Sequence, residues 1–461
     1  MNRWSILSIL ICVLFMLTAC SSAESVPEDT TGVSQTQASV VDDGVVDIEL
    51  SDSEVLIEGQ PADSDSSKAV YVSNDIVYYE EGKDFTYGEG SEADAHSAEE
   101  AKAHTVLHIS KAGEYNLSGK LSKGQIAVDL GENAKKDKDA VVTLVLDGVD
   151  ITCEVAPAVI FYNVYECSDA DAETATNKVD TSAAGANVVI ADNTENFVNG
   201  SYVARIYEPE SVVLSSDGTE VEDASKLHKY DGAFYSKMSM NINGGEEAGV
   251  LNINAENEGL DSEMHLTING GNINIVSGND GINTNEDGVS VTTINGGVLD
   301  IRVTGETGEG DGIDSNGWLV INGGSVRAQA CSFSADAGID SDMGIHINGG
   351  EVLACGSMLD RIEDGGQAYA TFNLREKLQG AGKKLVVKNS ADEAVFEFGV
   401  QNDCSVILYS SSHLDKEENY NLYSGDTLIA ESGDGFMGGP GGDMMPPDGN
   451  IPPQGEPPRW N

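Results

Sequence analysis

The sequence predicts an all-β protein whose chain winds as a parallel β-helix. Two observations carry this prediction: a motif that recurs at a fixed period, and an alternation of apolar and polar residues within each repeat. The motif reads Ile-Asn-Gly-Gly, and its five asparagines are separated by 26, 26, 27 and 26 residues. Such a period is typical of stacked repeats, because no single unit can bury its apolar face alone. The asparagines are Asn243, Asn269, Asn295, Asn322 and Asn348.

Each repeat alternates in the manner of a β-strand rather than a helix. Leu266 and Ile268 fall on one side of the segment, while His265 and Thr267 fall on the other. A second alternating run, such as 299–303, follows each glycine pair, and no helical period of 3.6 residues is present. Each repeat of about 26 residues therefore predicts one coil of short strands joined by Gly, Asn and Asp turns.

Stacked coils place equivalent residues in columns, one strand spacing of ~4.8 Å apart. We expect the asparagines to hydrogen-bond from coil to coil at a turn, where the paired glycines permit positive φ. Two buried columns are predicted beside them. One holds Ile242, Ile268, Ile294, Ile321 and Ile347, and its neighbour holds Met240, Leu266, Thr292, Leu319 and Ile345.

Acidic residues recur between the asparagine turns. Asp261, Asp314 and Asp340 each stand nine residues before the first glycine of the following pair, so they are predicted to stack, whereas Asn283 is offset by an insertion. Stacked carboxylates repel one another unless something neutralises them. Between residues 240 and 360 there are 19 Asp and Glu residues but only two Lys and Arg residues, so salt bridges are insufficient.

Two interpretations of these acids remain open. They can be turn residues that point to solvent, or they can form a row of calcium sites, since calcium takes six to eight oxygen ligands. Residues 283–288 partly mimic a helix-loop-helix calcium loop, but the twelfth position is Ile294 and no flanking helix is predicted, so that motif is rejected. The predicted calcium ligands are Asp261, Glu263, Asp280, Asn283, Asp287, Asp311, Asp314, Asn316, Asp340 and Asp342.

The run Gly312-Ile-Asp-Ser-Asn316, beside the recurrent Ile-Asn-Gly-Gly, resembles a family of secreted bacterial carbohydrate-binding β-helix proteins. The resemblance implies a right-handed parallel β-helix similar to pectate-type polysaccharide lyases, bound calcium, and affinity for cellulose and polygalacturonate. It implies a metal role for Asp311, Asp314 and their equivalents in the other repeats. The likeness extends more loosely over residues 105–430, including 119–126, 143–149, 231–237 and 420–425.

The N-terminus predicts a lipoprotein. Arg3 precedes an apolar run over 6–17, and Leu17-Thr-Ala-Cys20 matches a lipoprotein cleavage box, so residues 1–20 form the signal peptide and Cys20 carries the lipid. An ordinary signal peptide with a chance cysteine is the alternative. Lipidation would anchor the protein to the extracellular face of the cell membrane.

The remaining regions follow from composition. Residues 21–69 are acidic and predicted to be a disordered tether, since 21–67 hold twelve Asp and Glu residues but no Lys or Arg. Residues 70–104 are transitional, with a short helix near 98–103. The β-helix spans 105–361. A small β cap of antiparallel strands over 383–430 covers its end, and 433–461 is a Gly/Pro-rich disordered tail.

Charge and cysteines restrict the partners. Lys and Arg total 25 against 78 Asp and Glu residues, so the net charge is −53, which excludes nucleic acid as a partner. An acidic polymer would need calcium to bridge it to the protein, whereas a neutral glucan would not. The five cysteines after Cys20 show no zinc-binding spacing; free thiols are favoured over a Cys331–Cys355 disulfide. We expect a monomer.

Three functions remain in competition. The first is non-catalytic binding of polysaccharide, with Trp318 as the predicted sugar platform on the outward side beside the column of His265, unless a loop covers it. The second is a calcium-dependent polysaccharide lyase acting on pectate, for which Lys237, Arg302 and Arg327 are the available bases. The third is a structural adhesin or spacer.

Overall fold

The computed structural model describes residues 44–244, 249–378, 380 and 382–433. The predicted signal peptide, Cys20, the first part of the predicted tether and the tail from residue 434 lie outside the described residues. Within those ranges, no helix combines the length and the apolar character needed to span a membrane.

The described residues are almost entirely β-strand, which confirms the predicted all-β class. The first strands are β1 (Val46–Leu50), β2 (Leu56–Ile57), β3 (Gln60–Pro61), β4 (Val70–Ser73), β5 (Thr105–Ile109), β6 (Gly113–Leu121), β7 (Gly124–Asp129), β8 (Val142–Cys153), β9 (Val159–Asn163), β10 (Ala186–Ile190), β11 (Glu195–Gly200), β12 (Val203–Tyr207), β13 (Val213–Leu214), β14 (Val221–Asp223) and β15 (Lys226–Tyr230). The repeats contain β16 (Gly232–Ser236), β17 (Met240–Gly244), β18 (Val250–Ala255), β19 (Glu258–Ser262), β20 (Leu266–Ile268), β21 (Asn272–Ser277), β22 (Ile282–Thr284), β23 (Val291–Ile294), β24 (Val298–Val303), β25 (Trp318–Ile321), β26 (Ser325–Gln329), β27 (Gly344–Ile347) and β28 (Glu351–Gly356). The last strands are β29 (Tyr369–Leu378), β30 (Lys383–Lys388), β31 (Ala394–Val400), β32 (Cys404–Ser410), β33 (Asn421–Ser424) and β34 (Thr427–Glu431).

One short α-helix, α1 (Ala98–Lys102), lies where the sequence predicts it. It begins with a capping box, in which the Ser97 side chain accepts from the Glu100 backbone and the Glu100 side chain accepts from the Ser97 backbone. Two 3₁₀ helices complete the list of helical segments in the described ranges. They span Glu132–Lys136 and Pro209–Ser211.

The tether prediction is wrong for the strands β1 to β3. Strand β1 pairs in parallel with β6, and both Ile48 and Leu50 are fully buried. The acidic composition of this region hid a strand pattern, because Val46, Ile48 and Leu50 alternate with Asp47 and Glu49. The acidic residues that suggested disorder lie on the solvent-facing side of the strand, and the apolar residues between them form its buried side.

Three parallel ladders organise the central strands. Ladder 1 joins β1, β6, β8, β10, β17, β20, β23, β25 and β27. Ladder 2 joins β6, β8, β11, β18, β21, β24, β26 and β28. Ladder 3 joins β5, β7, β9, β16, β19 and β22. From β16 to β24 the chain visits ladders 3, 1 and 2 in strict rotation.

The predicted register of the repeats is confirmed. Ile242 pairs with Ile268, and the same alignment continues through Ile294, Ile321 and Ile347, all of them buried. The neighbouring column from Met240 to Ile345 is also fully buried.

The asparagine ladder is confirmed as well. The Nδ2 atom of each asparagine donates to Oδ1 of the preceding one, at 3.0 Å for the first pair and 2.9 Å for the other three. In the four pairs whose second glycine is described, that glycine has positive φ, for example 91° at Gly297, a conformation that glycine adopts without steric cost.

A long strand-free segment between β9 and β10 packs along the outer face of ladder 1. Its Thr181 hydroxyl donates to the Thr267 hydroxyl at 2.7 Å, and Asn241 Nδ2 donates to the Thr181 carbonyl at 2.8 Å. Further along, Asn177 Nδ2 lies 2.8 Å from His346 Nε2. This segment includes residues 167–182, which are rich in Asp, Ala and Thr.

After β28 the pairing becomes antiparallel. Strand β32 pairs with β28 at the end of ladder 2, and β29 pairs with β32. A separate antiparallel sheet holds β31, β30, β33 and β34 in that order. The antiparallel region therefore begins at Tyr369 rather than at residue 383, because Ala370 and Phe372 belong to the second hydrophobic core, which also contains Phe398.

The cysteines in the described residues are free thiols, as the sequence favours. Cys153, Cys331, Cys355 and Cys404 are buried, and Cys167 is partly exposed. Burial raises the pKa of the Cys153 thiol to about 12 and so suppresses the reactive thiolate.

Candidate functional site

The acidic residues collect along ladder 3 and its continuation. Asp261 pairs in register with Asn283, and a bridge between Ile282 and Ile313 places Asp314 next in the same column. The predicted offset of Asn283 is wrong. The extra residues of that repeat lie in the turn after Thr284, at 285–290, and leave the column undisturbed.

The inner acid cluster consists of Asp231, Glu258 and Asp261. One carboxylate oxygen from each lies within 4.8 Å of the other two, and all three residues are buried. Glu258 Oε2 and Asp261 Oδ2 have no hydrogen-bond partner among the described residues. Buried oxygens without donors carry a high desolvation cost, which a bound cation would relieve.

The inner cluster has one basic neighbour, which the sequence analysis missed. Lys229 Nζ lies 2.5 Å from Asp231 Oδ2, because strand β15, which pairs antiparallel with β12, contains Lys229 and ends directly before Asp231 and β16. Burial alone would lower the pKa of Lys229, but Asp231 reverses the direction and holds it above the ordinary value. Three carboxylates and one ammonium leave two negative charges, which one divalent cation balances.

Burial dominates the electrostatics of the inner cluster. It raises the pKa of Glu258 and of Asp261 well above their ordinary values, and the neighbouring carboxylates raise both further. The pKa of Asp231 is also raised by burial, although Lys229 opposes the shift. Without a cation, these groups hold protons more tightly than exposed carboxyls do.

The outer acid cluster consists of Asp311, Asp314 and Asp340, whose carboxylate oxygens also lie within 4.8 Å of one another. These side chains are partly exposed. No described lysine or arginine forms an ion pair with any of the three. Burial and neighbouring acids raise the pKa of Asp311 to about 10, and those of Asp314 and Asp340 to about 7.

Asp280 and Asn283 connect the two clusters. Asp280 Oδ1 accepts from the Asp311 backbone at 2.7 Å, and burial raises the Asp280 pKa to about 7. Asn283 Nδ2 donates to Glu258 Oε1 at 3.2 Å, while Asn283 Oδ1 is buried without a partner in the described chain. The predicted single row of acids is therefore two clusters with an amide between them.

Besides Asp280 and Asn283, four predicted ligands lie outside both clusters. Glu263 is already neutralised, since Lys226 Nζ lies 3.0 Å from its Oε1, which also accepts from the Tyr235 hydroxyl at 2.5 Å. Asn316 Nδ2 donates to Asp287 Oδ1 at 3.0 Å on the surface. Asp342 is exposed at the surface, and partial desolvation of its carboxylate, together with nearby Asp287 and Asp360, raises its pKa.

Asp231 and Glu258 were absent from the predicted ligands. Asp231 precedes the first Ile-Asn-Gly-Gly motif, so the spacing of the motifs gave no position for it. The dipeptide Asp231-Gly232 nevertheless matches Asp311-Gly312. Glu258 holds the same position as Asp280, because the Gly259 backbone donates to the Asp280 carbonyl at 3.0 Å. An acidic residue followed by glycine was therefore the sequence signal that could have identified both Asp231 and Glu258.

The donor set fits a hard cation. Both clusters offer only carboxylate and amide oxygens, which calcium prefers, and they contain no thiolate or imidazole, which zinc and copper prefer. Several carboxylates at one site favour calcium over magnesium, which retains most of its waters.

The predicted sugar platform Trp318 lies at the start of β25 and is partly exposed. Its register partner Val291 donates from its backbone to His265 Nδ1 at 3.0 Å, and His265 itself is buried. The side of ladder 1 that alternation assigns to solvent is therefore covered at the His265 position. Among the described aromatic side chains, Phe333 is the most exposed, at 74 %.

Fold and site together define an all-β protein with parallel ladders and two acid clusters, one buried and one partly exposed. The chain belongs to the family of carbohydrate-binding domain-containing proteins, whose model matches residues 103–435. This confirms that the resemblance is to a carbohydrate-binding family.

No curated protein matches the chain significantly. The chain is similar to a solved structure described as a polysaccharide lyase-like protein from C. thermocellum. The identity is 20 %, the TM-score is 0.38, and the match covers 67 % of this chain and 89 % of that one. A likeness at that TM-score supports no further argument.

Proposed function

We propose that this protein binds plant cell-wall polysaccharide, cellulose or polygalacturonate or both, without cleaving it. The observation that carries the proposal is the match of a carbohydrate-binding family model across residues 103–435. That match covers all three ladders in the repeat region and the antiparallel strands after them.

The proposed scaffold is a right-handed parallel β-helix. Its support is the strict rotation of the chain through ladders 3, 1 and 2, with each strand paired in parallel to its counterpart one repeat later. Two parallel strands of one ladder must be joined by a long connection. Here that connection contains one strand from each of the other two ladders.

Calcium is the proposed cofactor. The inner and outer acid clusters would hold it, with Asp280 and Asn283 between them. Bound calcium would neutralise carboxylates that the scaffold forces together, and it would also let a polyanion such as polygalacturonate approach a protein with a net charge of −53. Cellulose would bind without that requirement.

The proposed location is the extracellular face of the cell membrane. Its support is the Leu17-Thr-Ala-Cys20 sequence, in which Cys20 would be lipidated. A Cys20→Ser variant that remains in the membrane fraction as the unchanged protein does would remove this support.

Sedimentation with insoluble cellulose and with calcium-pectate gel, each with and without chelator, tests the function. We expect retention on at least one polymer, and a loss of pectate retention in chelator. Failure on both polymers in the presence of calcium contradicts the binding proposal and favours a spacer role.

A polysaccharide lyase is the second candidate, and one observation favours it. Burial and nearby Lys135 lower the pKa of Lys237, which is the direction that a base for β-elimination needs. Incubation with polygalacturonate and calcium would then produce unsaturated products that absorb ultraviolet light, and Lys237→Ala would abolish them. An unchanged absorbance with the original protein eliminates this candidate.

A further inference from the structure

A groove of about 720 Å³ runs along the outer face of ladder 1. Two columns form its floor, since residues two apart on a strand face the same side. One is the asparagine ladder. The other column, in register by strand pairing, holds Asn241, Thr267, Thr293, Val320 and His346.

The segment 177–182 forms one wall of the groove and is fixed at both ends. Thr181 is hydrogen-bonded to Thr267 and Asn241 at one end, and Asn177 contacts His346 at the other. Thr293 and Val320 lie between these two anchors and line the cavity. Beneath the wall, the floor column from Asn241 to His346 spans four strand spacings, or roughly 19 Å.

The groove is nearly neutral in a strongly acidic protein. Its lining contains one lysine, Lys178, and one aspartate, Asp180, and the other polar residues are amides, hydroxyls and His346. A polyanion or a cation would find no excess of opposite charge here. Neutral hydroxyl groups are the chemistry that such a lining matches.

The asparagine ladder leaves hydrogen-bonding capacity on every rung. A side-chain amide has two N–H donors and two acceptor lone pairs, and the ladder uses one of each at Asn269, Asn295 and Asn322. These three side chains are exposed. The floor therefore offers a donor and an acceptor every ~4.8 Å along a straight line.

We propose that this groove binds one neutral, extended β-1,4-linked glycan chain, laid along the asparagine ladder with its hydroxyls paired to successive amides. The sugar repeat of such a glycan is close to the strand spacing, so neighbouring sugars meet equivalent amides. About four sugars fit along the floor between Asn241 and His346. This inference rests on the proposed polysaccharide binding and names the surface and the polymer class for it.

The test compares variants by calorimetric titration with a soluble β-1,4-linked glucan oligosaccharide. The double variant Asn295→Leu/Asn322→Leu removes two floor amides, and we expect its affinity to fall at least about tenfold, because several hydrogen bonds are lost. Asn274→Leu is the matched control. Asn274 is exposed and donates to Asn252 Oδ1 at 2.9 Å in a similar amide pair on ladder 2, outside the groove.

A second groove variant tests the inference independently, in case the first variant misfolds. Thr293→Met fills the middle of the groove without adding charge or breaking the asparagine ladder, and we expect a similar loss of affinity. If both groove variants bind the oligosaccharide as the unchanged protein does, while that protein still sediments with polysaccharide, the groove inference is overturned and the proposed function stands. If the groove variants lose only polygalacturonate, the neutral-glycan assignment is overturned. Failure of the unchanged protein to bind any polysaccharide overturns both proposals.

Discussion

At the scale of single residues, Asp311 shows most directly what the acid clusters demand. Its Oδ1 atom accepts from the Ala337 backbone at 2.5 Å, yet neighbouring carboxylates and burial raise its pKa to about 10. An asparagine would keep the accepted hydrogen bond and remove the charge.

We therefore expect Asp311→Asn to act in opposite directions with and without calcium. In chelator near neutral pH the variant should melt at a higher temperature than the original protein, because its folded state no longer has to keep this carboxyl protonated while the unfolded state ionises it. Its calcium affinity should fall at least about tenfold, because a ligand is lost. Thermal melts across a calcium titration measure both effects. Asp287→Asn, on the surface outside the clusters, is the control, and a variant that melts lower in chelator contradicts the expectation.

The same residues predict a pH dependence. Asp280, Asp314 and Asp340 have pKa values of about 7, raised mainly by burial, whereas unfolded carboxyls titrate near ~4. At these three groups the folded state then binds more protons than the unfolded state between these values, so their contribution to the stability of the calcium-free protein falls as pH rises from about 4 to about 7 and is most favourable below that range.

Urea unfolding at a series of pH values, in chelator and in excess calcium, measures this. Calcium should reduce the loss of stability, because a bound cation replaces the protons. A calcium-free protein whose free energy of unfolding rises over the same interval would show that the acids are not held together.

Which acids the sequence could identify depended on the period. Asp311, Asp314 and Asp340 follow the repeat, and they were predicted and lie together. Lys229 and Asp231 precede the repeat, so its period could not predict the ion pair that neutralises one charge of the inner cluster. The side-chain partners of Glu263 come from a hairpin and a neighbouring strand, a tertiary contact that spacing does not encode.

At the scale of elements, the buried columns of the repeat were predictable because the same residue pattern recurs in every coil. Apolar alternation sets the face and the constant period sets the register, so the isoleucine column was fully specified. Strand β1 was not, because its acids dominate the composition. The cap boundary was misplaced, since β29 follows no repeat and is defined by packing against Phe398 and its neighbours.

The isoleucine column gives a stability prediction. Ile294 is fully buried in the middle of the column, so Ile294→Ala should lower the free energy of unfolding by about 2–5 kcal/mol. Val298→Ala is the control on the next strand, where the side chain is 47 % exposed, and its effect should stay within about 0.5 kcal/mol. Urea denaturation compares the two, and equal effects would mean that the column is not the core.

At the scale of the whole molecule, a net charge of −53 opposes the compact state through self-repulsion, which bound cations would reduce. Calcium bound only by the folded state should stabilise by mass action, about 2.7 kcal/mol at a concentration one hundred times the dissociation constant. Magnesium at equal ionic strength should stabilise less, because it dehydrates reluctantly. Differential scanning calorimetry in each salt makes the comparison, and equal shifts would indicate general screening instead of specific sites.

The antiparallel strand β32 also has a consequence for assembly. A parallel repeat that simply stopped at β28 would present unpaired backbone groups to the next molecule, and copies could then add end to end into a fibre. Because β32 runs against β28 in the opposite direction, it occupies those groups and offers no matching template. We therefore expect that molecules do not add end to end at this end of ladder 2, and that the ladder keeps the length encoded in one chain at any protein concentration.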